Sequence, residues 1–98
     1  MEKVKIDKEY WDIIKNIAIC YLQETQNVTT DLRVVEYRAH AKEIIFRCEQ
    51  SFENDYFELR YDNIVHLKDI IGFINDDLLD KDSIEQLKNL LLNTIHNK

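Results

Sequence analysis

Proline is absent from the 98 residues, and Gly72 is the single glycine. Tight turns that need a preset or positive φ are therefore scarce. That disfavours an all-β sandwich and favours helices joined by short connections of Asn, Asp and Ser. One glycine also excludes a glycine-rich phosphate loop. No apolar run reaches the roughly 18 residues that a membrane-spanning helix needs. The opening Met-Glu-Lys-Val-Lys-Ile-Asp lacks the apolar block of a secretory signal, so a cytoplasmic protein is expected. Cysteine is limited to Cys20 and Cys48, far apart and set in apolar patterns, and both read as reduced thiols. Basic residues are the minority, 13 Lys and Arg against 19 Asp and Glu, for a net charge of −6. Neither non-specific nucleic-acid binding nor docking on anionic lipid suits that balance.

What is present suffices for one small domain over residues 1–98. Hydrophobic residues make up 45% and charged residues 33%, a globular composition. Val4 and Ile6 alternate with lysines and suggest a short initial strand. Asp7 reads as an N-cap, with Ile6 and Trp11 placed for a hydrophobic staple. A helix follows from about Lys8 to Gln26, with Tyr10, Ile14, Ile17 and Tyr21 at helical spacing and apolar residues widening the stripe on both sides. A helix so apolar around its circumference is either central to a core or part of an interface, where Trp11 or Ile19 would face a partner.

Residues 28–61 carry the main ambiguity. Val28–Tyr37 has strand composition, and Ile44, Phe46 and Cys48 alternate with Ile45, Arg47 and Glu49. Phe57, Leu59 and Tyr61 alternate in the same way after the turn-forming Glu53-Asn54-Asp55. This reading gives the order α-β-β-β-α-α, an α+β fold with a three-stranded antiparallel meander packed against helices. It pairs Arg47 and Arg60 with Glu49 and Glu58 across a hairpin. The alternative is an all-α bundle with residues 30–52 helical, because Val34, Tyr37, Ala41, Ile44, Cys48 and Phe52 also form a helical stripe. Ile64, Leu67, Ile71, Ile74 and Leu78 give the clearest helix, capped by Asp62 or Asn63. Ser83 with Gln86 forms a capping box for a last helix to about Ile95. Gly72 lies inside a helix, where only close approach of another backbone suggests itself.

Chemical motifs are missing. His40, His66, His96, Cys20 and Cys48 show no paired ligand spacing, so no metal site is expected. A Cys48–His dyad is disfavoured because Cys48 sits among apolar neighbours. The acidic run Asp76, Asp77, Asp80, Asp82 lacks the glycine and terminal glutamate of a calcium loop. No cofactor and no catalysis are expected.

The expected function is that of a small acidic protein-binding module. It would act by occupying a surface of a larger partner, as an inhibitor, immunity protein or adaptor does. A basic surface of a nucleic-acid-processing enzyme would suit it, and a phage or mobile-element inhibitor would have this form. The expected contacts are Glu53, Asp55, Tyr56, Glu58, Asp76, Asp77 and Asp80, acids for steering and an aromatic anchor. Two other expectations are a homo-oligomer built through the apolar first helix and nucleic-acid binding through Arg33, Arg38, Lys42 and Arg47.

Overall fold

The computed structural model describes residues 2–74 and 80–96. Strand β1 (Lys3–Asp7) leads through a 3-10 turn (Lys8–Tyr10) into helix α1 (Trp11–Glu24). Helix α2 (Leu32–Gln50), strand β2 (Tyr56–Arg60), helix α3 (Tyr61–Phe73) and helix α4 (Lys81–His96) follow.

The α+β class holds, but the three-stranded meander does not: the described sheet has two strands, β1 and β2, antiparallel. The expected initial strand is present. Its partner is the later run 56–60, with Val4 opposite Leu59 and Ile6 opposite Phe57. Ile6, Phe57 and Leu59 are buried by this alternation, while Lys5 faces Glu58 on the other side. Two backbone bonds extend the pairing past the strand ends, Lys8 N to the Asp55 carbonyl and Tyr61 N to the Glu2 carbonyl.

Residues 28–48 are the correction. Leu32–Gln50 is one helix, as in the alternative reading, set in an α+β fold rather than an all-α bundle. Val34-Val35 and Ile44-Ile45-Phe46 favour strands locally, yet Ala41, Ile44 and Cys48 are buried at helical spacing, and burial outweighs propensity. Asp31 starts the helix by accepting from Arg33 N at 3.0 Å. Arg47 therefore pairs with Glu43 one turn earlier at 3.1 Å rather than across a hairpin.

Helix α1 is central to the core. Ile14, Ile17, Ala18 and Tyr21 are buried against α2 and α3, and its exposed residues, Asp12, Asn16, Gln23 and Glu24, are polar. Trp11 Nε1 donates to the Cys48 carbonyl at 2.7 Å, and Arg38 donates to the Leu22 carbonyl at 2.7 Å. Each bond satisfies a carbonyl near a helix end. Every element except the 3-10 turn adds side chains to one continuous core, in which α4 supplies Ile84, Leu87 and Leu91. Asp7 accepts from Glu9 N and caps the 3-10 turn, so the helix expected from Lys8 begins instead at Trp11. For α4 the cap is Asp80 rather than Ser83: its carboxylate accepts from Asp82 N and from the Ser83 hydroxyl at 2.9 Å. Among the described residues no helix is long and apolar enough to cross a membrane.

Candidate functional site

The chain builds two features that burial of a core does not require. The first is polar and lies between α2 and α3. Asn63 is fully buried, the one buried polar side chain among the described residues. Its Oδ1 accepts from Arg60 N at 3.0 Å, so Asn63 rather than Asp62 closes the first turn of α3. The amide nitrogen of Asn63 then points to His40 Nδ1 at 3.1 Å. An amide N–H only donates, so Nδ1 of His40 accepts and the ring proton sits on Nε2. Burial, reinforced by the neighbouring His66, lowers the pKa of His40, consistent with a neutral ring.

His66 stacks on His40, with ring centroids 3.7 Å apart and planes 13° apart. Its Nδ1 lies 2.7 Å from the Asp62 carbonyl, which only accepts, so Nδ1 carries a proton. Its Nε2 lies 3.2 Å from Glu36 Oε1. Glu36, His40 and His66 thus bring three ligand-type atoms within 4.8 Å of one another. Tyr37 meets His66 edge-on and donates to Asp69 Oδ2 at 3.0 Å.

Beside them, Glu43 is clasped by two arginines. Arg60 binds it through both carboxylate oxygens, at 2.5 and 2.7 Å, and Arg47 adds a third bond. These bonds, led by that of Arg60 and opposed by burial, hold the Glu43 carboxyl at about 2, down from 4.5. The clasp ties α2 to the β2–α3 junction.

The second feature is apolar and exposed. Leu32, Val35, Ala39, Lys42 and Phe46 recur at alternating gaps of three and four, which keeps them on one side of α2, opposite Ala41, Ile44 and Cys48. Leu32 is 83% exposed, Phe46 59% and Val35 46%. The tip follows at the C-terminal end of α2. Phe52 is exposed and edge-on to Trp11, and Lys8 Nζ donates to its carbonyl.

The expected contact residues fall in three groups. Glu53, Asp55 and Tyr56 are exposed at the tip, and Lys5 Nζ lies 4.6 Å from the centre of the Tyr56 ring. Glu58 is half-buried beside Lys5 on the sheet, and Asp80 is engaged in capping α4. Asp76 and Asp77 lie outside the described residues. Arg33, Arg38, Lys42 and Arg47, separated by gaps of five, four and five, spread around α2 and form no single basic stripe. Arg38 and Arg47 are also spent on internal bonds. Burial pushes the Cys48 thiol up to about 12, which leaves it without nucleophilic character at neutral pH.

The exposed stripe on α2 was legible in the spacing of Leu32, Val35, Ala39 and Phe46 once the segment was read as a helix. The histidine pair was not, because its members come from different helices. Comparison with models of protein families, with curated proteins and with solved structures finds no match to this chain.

Proposed function

We propose that the chain is a small non-catalytic protein-binding module whose docking surface is the outer face of α2 together with the tip that follows it. The observation that carries this reading is the exposed stripe Leu32–Val35–Ala39–Phe46 on a helix whose opposite face is locked into the core. Apolar anchors at these spacings are how a helix fills a groove on another protein. Large side chains that leave the core empty-handed on a small acidic chain mark an interaction surface.

The occupant is a larger protein rather than a second copy. Two copies meeting through this one face would contribute four apolar side chains each, far fewer than the roughly 20–30 residues a side of a stable interface, whereas a groove on a larger protein can surround the helix. A partner that also reaches the tip gains Phe52 and Tyr56 as anchors and meets the exposed acids Glu53 and Asp55. With a net charge of −6, the chain would approach a basic surface fastest. Such a module would act by covering that surface, as an inhibitor or adaptor does.

Photo-crosslinking tests the placement. A benzophenone side chain at Ala39, exposed on the stripe, is expected to give an adduct with a larger protein in cells of the native host. The same group at Asn89, exposed on α4, is expected to give none. Adducts of equal yield from both positions would contradict the assignment, and an adduct of two copies of this chain from Ala39 would replace the larger partner by self-pairing.

A further inference from the structure

We propose that Glu36, His40 and His66 form a binding site for a divalent transition metal of the zinc class, with one coordination position left open to solvent. The reasoning starts from His66. Its Nδ1 proton is committed to the Asp62 carbonyl, so any lone pair on the ring lies on Nε2, which faces Glu36 Oε1 at 3.2 Å. A lone pair and a carboxylate oxygen are both acceptors and repel at that distance. A cation has to lie between them, either a second ring proton or a metal ion. The backbone carbonyl on Nδ1 is the outer partner that fixes a metal-binding imidazole in its ligating tautomer.

The spacing fits the ion. Bonds of about 2.0–2.1 Å in a tetrahedral site place neighbouring ligand atoms roughly 3.3–3.4 Å apart, close to the 3.2 Å between Nε2 and Oε1. A nitrogen of His40 completes a set whose atoms all lie within 4.8 Å. Two imidazoles and a carboxylate are a donor set that zinc, cobalt and nickel accept and that magnesium and calcium do not favour. Glu36 is on the exposed side, its side chain 62% accessible, so the fourth position opens to water.

One rearrangement is required. Ring lone pairs lie in the ring planes, and two rings stacked 3.7 Å apart at 13° cannot both aim at one ion. Binding therefore turns the rings out of the stack. If His40 ligates through Nδ1, the metal bond replaces the one that Asn63 now donates there.

The test is titration of the full chain, freed of metal by chelation, with Zn²⁺ followed by calorimetry and with Co²⁺ followed by visible absorption. The expected result is one ion per chain and a cobalt spectrum of low coordination number. Glu36→Gln and His66→Gln are each expected to weaken binding about 10- to 100-fold. His96→Gln, at the end of α4, is expected to leave it unchanged. Circular dichroism separates loss of a ligand from loss of fold, and ¹⁵N-histidine spectra of the intact chain provide a readout free of substitution. There, zinc is expected to leave Nδ1 of His66 protonated and to shift its Nε2 as a ligated nitrogen. Absence of stoichiometric binding, or binding that survives both Glu36→Gln and His66→Gln, overturns the site. A His66 whose two nitrogens stay protonated with zinc in excess reduces the contact to an ion pair with Glu36 and overturns it equally.

Discussion

Glu43 shows how one carboxylate can govern pH behaviour. Its pKa is depressed in the fold to about 2, first by the hydrogen bond from Arg60 and then by that from Arg47. Because the folded value lies below the unfolded one, the stability from this group is complete above about pH 4.5 and is lost as pH falls from there toward 2. Glu43→Gln is expected to flatten that acid limb of the stability curve and to cost roughly 1–3 kcal/mol at pH 7. Urea melts between pH 2 and 7 would show it, and parallel curves for the two proteins would contradict the account. The neighbouring Asn63 is similarly committed, since it is fully buried and removing its amide would break its bonds with Arg60 N and His40, at about 1–3 kcal/mol. The capping role of Asn63 is visible in the sequence, but the Glu43 clasp is not, because Glu43 and Arg60 stand 17 residues apart on different elements and nothing in their spacing links them.

At the level of elements, legibility followed the length of the periodic signal. Helix α3 was readable because Ile64, Leu67, Ile71 and Ile74 repeat without conflict, and all are buried. The entry to α1 was readable only in part: Asp7 caps the 3-10 turn Lys8–Tyr10, and α1 itself begins at Trp11 with no side-chain cap. Helix α2 was the difficult element, since β-branched pairs at both ends support strands while Tyr37, Ala41, Ile44 and Cys48 support a helix. The signal that decides for the helix is Asp31, a cap immediately before the periodic run. Without that cap the sequence offers 44–48 as the partner of β2, whereas the partner is Lys3–Asp7. Gly72 yields the prediction at this scale. Among the described residues a Cβ built there meets nothing within 4 Å, and its backbone has no positive φ, so the described fold does not itself require glycine. Gly72→Ala is expected to raise stability by about 0.5–1 kcal/mol through helix propensity. Thermal melts read the gain, and a loss would show that a further contact forms at that position.

For the molecule as a whole, the polarity of α2 is the organising fact. Its inner face joins α1, α3 and the sheet in one core, and its outer face carries Leu32, Val35 and Phe46 into solvent. The clasp at Glu43 and the histidine stack hold the helix in a fixed orientation, so the stripe is presented on a rigid element. Between the stripe and the core, on the flank nearest Leu32, lies Glu36, the exposed member of the proposed metal site. Glu53, Asp55 and Tyr56, which the sequence offered as contacts, are exposed at the tip, whereas the stripe became legible only with the helix. The central claim is that this outer face binds a larger protein, and the most direct measurement is the affinity of the crosslinked partner for the native chain and for the double variant Leu32→Ser, Phe46→Ser. Both side chains are exposed, so each change is expected to shift stability by no more than about 0.5 kcal/mol. The account predicts that affinity falls by at least about 100-fold, as for paired interface anchors. An unchanged affinity in the folded variant would contradict it.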